Sequence, residues 1–247
     1  MTAPIPRDIP DLPAIPRKQA LRPSPVPATA VVAPVRRPAA AAYRLLIALA
    51  AAGGVTLELL LGDPARALSL FAIQSNILLA LVMAFSARRA WTARRPIPGS
   101  VMGATLLYVL MTTLVHHLLP ANGAAPPSGW QDLAHHTLYT VTPIAAVLDW
   151  LLLTAPGRLH LRNAPAWLLY PLAYLAFSLI RGELLLPGTP DRYLYPFLDV
   201  GQDGYKRVFG NALLLGLSCY ALALLLVALD HTRPNPIRHR GKTGFRL

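Results

Sequence analysis

Six long apolar segments constrain the fold of this chain more than any other feature of its sequence. A helix needs about 20 apolar residues to cross a hydrocarbon layer roughly 30 Å thick, and each segment approaches that length. Proline and glycine residues lie at the ends of these segments, as expected of helix boundaries. The sequence therefore predicts an all-α, polytopic membrane protein with six transmembrane helices, at residues 40–62, 67–86, 98–119, 132–154, 165–187 and 207–229.

Composition agrees with a membrane protein and argues against several other classes. Of the 247 residues, 54% are hydrophobic and 14% are charged, whereas a soluble domain carries about 25% charged residues. The net charge of +12 is spread between the apolar segments, which is unlike a nucleic-acid-binding face. The single cysteine, Cys219, excludes an intrachain disulfide and a cysteine-rich metal site. We expect no cofactor, no nucleic acid and the lipid bilayer as the main partner.

Two polar tails flank the apolar region. Residues 1–38 contain ten prolines and six Lys or Arg residues, and proline repeated at short intervals opposes helix formation while offering nothing to bury. We predict a disordered Pro- and Arg-rich tail at 1–38, a six-helix transmembrane domain at 39–230 and a basic tail at 231–247.

The basic residues are divided unevenly between the two sides of the predicted membrane domain. With six helices, the two tails share one side with the loops at 87–97 and 155–163, and basic residues that flank short loops stay in the cytoplasm. The sequence therefore predicts a multi-pass protein of the cell membrane with both termini cytoplasmic. The predicted cytoplasmic side carries 17 Lys or Arg residues, and the other side carries four, which are Arg66, Arg192, Lys206 and Arg207.

Polar residues within the apolar segments concentrate in the predicted outer half of the membrane. Ionisable groups in hydrocarbon are unfavourable unless paired or hydrated, so they usually face the interior of a helix bundle. Asp149 is the exception, because it lies near the cytoplasmic end of helix 4, where we expect it to cap the helix or to reach the headgroups. The pattern predicts a polar cavity towards the outer leaflet, lined by Glu58, Gln74, Asn76, His117, Arg181 and Glu183.

Arg181 and Glu183 each need a partner on another helix, because side chains two residues apart on a helix diverge. Glu58 lies at a compatible depth for Arg181, and a histidine could serve Glu183. An ion-pair network that holds helices 1, 4 and 5 together is one interpretation of these residues, and a functional cavity is the other.

Adjacent histidine pairs end helix 3 and begin helix 4, at His116-His117 and His135-His136. Adjacent side chains diverge by about 100° on a helix, and we expect neither an HExxH motif nor an i, i+4 carboxylate–histidine pair to accompany them. We therefore predict no metal site. A role as general acid or base stays open, because imidazole titrates near neutral pH.

Three consecutive polar residues, Gln74, Ser75 and Asn76, fan over about 200° of helix 2. At most two of them can face one cavity. The structural interpretation is that the Ser75 hydroxyl bonds to a carbonyl of its own helix, while the two amides form interhelical hydrogen bonds.

Four runs of sequence carry a resemblance to a known family. They are FAIQSNILLA at 71–80, PIAAVLDWLL at 143–152, YPLAYLAFSLIRG at 170–182 and YPFLDV at 195–200. In order and spacing they resemble the bacterial Pr6Pr family of six-helix membrane proteins over residues 40–230. That family is similar, more distantly, to the eukaryotic androgen-induced protein group, which hydrolyses fatty acid esters of hydroxy fatty acids with an intramembrane threonine and histidine.

The resemblance to the hydrolases implies two catalytic positions that this chain does not match. The expected threonine is replaced by Ala72, and the expected histidine, one turn before Pro143, is replaced by Tyr139. Ser75 as nucleophile and His136 as base are the nearest substitutes.

In such a hydrolase, Asn76 or Arg181 would stabilise the oxyanion.

Two function classes follow from the sequence: a lipid- or partner-binding membrane protein, and an intramembrane lipid-ester hydrolase. Transport is a third class, although the chain shows no internal repeat typical of inverted-repeat carriers.

Overall fold

Six long helices make up most of the structure, a computed structural model that describes residues 36–119, 129–186, 189 and 192–234. Regular structure in these ranges is entirely helical, and all six helices are long and apolar enough to cross a membrane. The predicted all-α fold is confirmed, and the chain is a multi-pass integral membrane protein. The helices are α1 (Pro38–Leu61), α2 (Phe71–Trp91), α3 (Gly99–Leu118), α4 (Trp130–Leu153), α5 (Leu161–Leu184) and α6 (Val200–Thr232).

The predicted tails lie largely outside the described residues, so their disorder stays a prediction. α1 begins at Pro38, where the fixed backbone of proline suits the first helical turn. At the other end, α6 continues to Thr232, slightly beyond the predicted domain boundary at residue 230.

The start of α2 differs from the prediction of residue 67. Asp63 caps a separate short helix, Pro64–Ser69, by accepting hydrogen bonds from the backbone N–H groups of Ala65 and Arg66 at 3.1 and 3.3 Å. Leu70 is extended, so α2 runs from Phe71 to Trp91. As a result, Ser75 lies about one turn from the start of α2, not two as the predicted boundary implied.

Small residues let α1 approach its neighbours closely. A Cβ at Gly54 would lie 2.8 Å from Leu138 Cδ2 of α4, a separation that the side chain on α4 would have to relieve by moving. Close packing through small residues is the usual means of helix association in membranes, where the surrounding lipid is as apolar as the helices. The buried residues of α1 are Ala40, Ala41, Arg44, Ile47, Ala48, Ala51, Gly54 and Val55.

α4 contains two π-helical segments, Thr137–Val141 and Asp149–Leu153. In the first, the Thr142 N–H bonds to Thr137 O, and Pro143 has no N–H to offer. The Leu138 carbonyl therefore has no backbone donor from its own helix. It accepts instead from Asn76 Nδ2 at 3.3 Å.

Four chain segments meet at one end of the bundle, called the basic end below: residues 36–37, 88–98, 154–163 and 230–233. The Arg37 N–H donates to Ala90 O at 3.1 Å, and the Gly157 N–H donates to Asp230 O at 3.1 Å. Arg158 Nη2 donates to Ile97 O at 2.6 Å. The four segments that the sequence predicts on one side of the membrane therefore lie together at one end of the bundle. That this end faces the cytoplasm stays a prediction.

Candidate functional site

Ser75 and His136, the predicted nucleophile and base, have different partners in the structure. Ser75 is fully buried, and its Oγ donates to Ala72 O of its own helix at 2.9 Å. His136 is exposed, and its Nε2 lies 3.4 Å from Asp132 Oδ1 one turn earlier. Across the described ranges, no hydrogen bond joins Ser75 to a histidine. The catalytic roles of both residues stay predictions.

Asn76 uses its entire side-chain amide in structural hydrogen bonds. Nδ2 donates to Ala72 O at 3.0 Å and to Leu138 O at 3.3 Å, while Oδ1 accepts from Thr142 Oγ1 at 2.8 Å. The side chain is fully buried. Asn76 therefore joins α2 to the π-helical segment of α4, and it has no donor left for a developing oxyanion.

Gln74 joins two further elements. Its Nε2 donates to Leu68 O at 3.0 Å in the short helix, and its Oε1 accepts from the Tyr170 hydroxyl of α5 at 2.7 Å. Gln74 and Asn76 thus form the interhelical hydrogen bonds that the structural interpretation of this run describes.

Beside the first π-helical segment lies a cluster of histidines that brings together α1, α3 and α4. His135 Nε2 and Glu58 Oε1 are 3.1 Å apart, although Glu58 Oε1 lacks the alignment of a hydrogen bond. The His116 ring stacks on Tyr139, with centroids 4.1 Å apart.

His117 lies at the edge of this cluster, with its Nε2 3.4 Å from Thr140 Oγ1. Asp132 and His136 form an i, i+4 pair, so the expectation that no such carboxylate–histidine pair accompanies the histidines is wrong. No group of three His, Cys, Asp or Glu residues in the described part of the chain is arranged to hold a metal ion. The cluster thus links helices at the end of the bundle opposite the basic end.

Arg181 and Glu183 have partners other than those predicted. Arg181 Nη1 donates to Arg192 O at 3.1 Å. Glu183 Oε1 accepts from the Tyr193 and Tyr205 hydroxyls, both at 2.9 Å. No described contact joins Arg181 to Glu58 or Glu183, so the expected pairing is wrong. The physical reason is that the loop before α6 and the first turns of α6 lie at the end of α5 and supply these partners.

The ion pair between Arg44 and Asp149 was not predicted from the sequence. Arg44 Nε lies 2.8 Å from Asp149 Oδ1, and the side chains are 8% and 0% exposed. The Thr154 hydroxyl accepts a hydrogen bond from Arg44 Nη2 and donates one to Asp149 Oδ2, both at 3.3 Å. The expectation that Asp149 caps its helix or reaches the headgroups is wrong, because Arg44 of α1 meets it inside the bundle near the basic end.

Asp230 forms a second buried group at the basic end. Oδ2 accepts from the backbone N–H groups of Arg158 and Leu159 at 2.6 and 2.8 Å, and Oδ1 accepts from Arg233 Nη2 at 2.8 Å. Arg233 also lies over the Trp150 ring and donates to the carbonyls at the end of α4. Burial lowers the pKa of the Arg158 guanidinium, while Asp230 opposes that shift.

An apolar groove of about 580 Å³ lies between α2, α3 and α5. On α3 it runs from Ser100 to Tyr108, a length of about 12 Å at 1.5 Å per residue. These residues occupy the half of α3 nearer the basic end, so the groove is not the polar cavity predicted towards the outer leaflet. Its lining is Gln74, Ile77, Leu78, Leu81, Ser100, Val101, Ala104, Thr105, Tyr108, Asn163, Ala166, Trp167 and Tyr170.

Most polar groups along the groove are already paired. The Tyr108 hydroxyl donates to Trp167 O at 2.9 Å, and the Thr105 hydroxyl donates to Val101 O at 2.9 Å. Tyr170 is bonded to Gln74 at the far end. An occupant would therefore meet an apolar wall along most of the groove, which suits a hydrocarbon chain.

Comparison with known proteins identifies no relative. No family model, no curated protein and no solved structure matches this chain. The functional argument therefore rests on the residues and geometry described above.

Proposed function

We propose that this chain is a lipid-binding integral membrane protein and that the groove between α2, α3 and α5 holds a lipid acyl chain. The observation that carries the proposal is the groove itself, with its apolar wall and internally paired polar groups. Pockets that bind small ligands usually combine an apolar lining with a few polar groups that orient the ligand. The groove has this composition, because few of its polar groups are available to an occupant.

Replacing Ala104 with phenylalanine should lower lipid retention by at least about tenfold, which corresponds to about 1.4 kcal/mol of lost contact. Ala104 lines the groove and is partly buried, so a phenyl ring there would occupy the space of the acyl chain. Native mass spectrometry of the full chain, purified in mild detergent, counts the lipids that remain bound.

The matched control is Ala52→Phe, which adds the same ring to an exposed position of α1. Its lipid occupancy should equal that of the wild type. Equal occupancy in Ala104→Phe and wild type would contradict the proposal, provided both variants keep the wild-type thermal unfolding temperature.

We further propose that the basic end faces the cytoplasm of the cell and that the chain is related to the Pr6Pr family. The first proposal is supported by the excess of Lys and Arg on this side. The second is supported by the four sequence runs that resemble the family in order and spacing.

Topology can be measured with single cysteines introduced after Cys219 is replaced. We expect an impermeant thiol reagent added outside intact cells to label cysteines at residues 124 and 189, and to leave those at 20 and 92 unlabelled until the membrane is opened. Outside labelling at residue 20 or 92 would reverse the proposed orientation.

The alternative function is hydrolysis of a lipid ester by Ser75 and His136, and it has less support. A serine nucleophile needs an adjacent base, whereas the Ser75 hydroxyl donates to its own helix. Turnover of long-chain esters that is present in the wild type and lost in Ser75→Ala would favour this alternative over binding alone.

A further inference from the structure

The two ends of the groove differ in chemistry. At the far end, the hydrogen bond between Gln74 and Tyr170 closes the wall. At the end nearer the basic residues lie Ser100 and Asn163, whose side chains make no hydrogen bond to any other described residue. This end, called the mouth below, therefore offers a free hydroxyl and a free amide, while the rest of the groove is apolar.

Three arginines lie on the chain segments that flank the mouth. The loop that joins α2 to α3 carries Arg94 and Arg95, and it lies at this end because both helices form walls of the groove. Arg162 directly precedes Asn163 at the start of α5, and all three arginines are exposed. The loop is fixed to α2, since the Arg94 N–H donates to Arg89 O at 2.9 Å.

These three arginines have no carboxylate partner among the described residues. Asp149 and Asp230, the acidic side chains described at the basic end, are buried. Each is engaged by other groups, Asp149 by Arg44 and Asp230 by Arg233 and two backbone N–H groups. The positive charge at the mouth is therefore not neutralised within the described fold.

We infer that the groove takes an anionic phospholipid, with one acyl chain along the groove and the phosphate at the mouth. Ser100 and Asn163 would donate hydrogen bonds to the phosphate, and the three arginines would supply the opposite charge. This inference rests on the proposed lipid-binding function and adds the headgroup class. A zwitterionic lipid would bring its own cation towards the arginines, which lowers its attraction to this site.

The test is competition between phosphatidylglycerol and phosphatidylcholine with identical acyl chains, supplied in equal amounts to the full chain and read by native mass spectrometry. We expect the wild type to retain mainly phosphatidylglycerol. In the Arg95→Gln/Arg162→Gln variant this preference should fall about 25-fold, since each basic side chain near an anionic headgroup contributes about fivefold.

The control variant is Lys206→Gln/Arg207→Gln, which removes the same charge from a position near the start of α6, away from the mouth. Its preference should match the wild type. The inference is overturned if the wild type shows no headgroup preference, if the arginine variant keeps it, or if the control loses it equally.

Failure of the lipid-binding proposal gives a different result. If Ala104→Phe leaves the total amount of bound lipid unchanged, the groove does not hold lipid at all. If Ala104→Phe lowers that total but the wild type retains both headgroups equally, the proposed function stands and the headgroup inference alone is wrong.

Discussion

Replacing Asp149 with alanine is expected to lower the free energy of unfolding by about 3 to 5 kcal/mol. The change leaves Arg44 as a buried charge without its carboxylate, because the Nε–Oδ1 contact of 2.8 Å is lost and the Arg44 side chain is only 8% exposed. Thr154 would remain as a neutral partner, which cannot balance the charge. Reversible unfolding in mixed micelles measures the change, together with the yield of folded protein.

A double variant separates loss of the pair from a general packing defect. Arg44→Met/Asp149→Leu removes both charges and keeps apolar volume, so most of the lost stability should return. Asp132→Asn serves as a control, since this half-exposed carboxylate faces His136 near the surface and its loss should change stability by less than about 1 kcal/mol. A double variant as unstable as Asp149→Ala would show that the ion pair is not the cause.

The second large effect is expected for Asn76→Leu, which should lower the free energy of unfolding by about 2 to 4 kcal/mol. Leucine has similar size but cannot donate to Leu138 O or accept from the Thr142 hydroxyl. Hydrogen exchange at the backbone amides of residues 137–142 should also rise, because this part of α4 loses its support from α2.

Ser75→Ala is the matched control for this prediction. Ser75 is the adjacent residue and equally buried, but its hydroxyl bonds only within its own helix. We expect its stability to stay within about 1 kcal/mol of the wild type. If both variants lose similar stability, the interhelical hydrogen bonds of Asn76 do not carry the effect.

The six helices could be predicted because their signal is local. Each needs only a sufficient run of apolar residues, and the described helices agree with the predicted segments to within a few residues at most boundaries. The largest difference is at the start of α6, which begins at Val200 rather than at residue 207. The difference at the start of α2 has a local cause. Asp63 caps a short extra helix that begins at Pro64, and α2 therefore begins only at Phe71.

The partners of the buried charges could not be predicted in the same way. Arg44 and Asp149 lie on α1 and α4, and their meeting depends on the rotation and depth of both helices. The sequence interpretation pairs Glu58 with Arg181 because the two residues lie at similar depth in the membrane. In the structure, the rotation of α1 about its axis places Glu58 beside His135 instead. Depth alone leaves several pairings open, because a membrane helix presents a different residue to its neighbours at every 100° of rotation.

The two π-helical segments of α4 also alter its helical phase. Buried residues recur at every fourth position, at Ala134, Leu138, Thr142, Ala146, Trp150 and Thr154. In a regular α-helix a step of four residues overshoots one turn by about 40°, so five such steps would rotate the last residue by about 200° from the first. The wider π turns absorb this drift and keep one face towards the bundle along the whole helix. A helical wheel drawn at 100° per residue would therefore assign the residues near one end of α4 to lipid when they face protein.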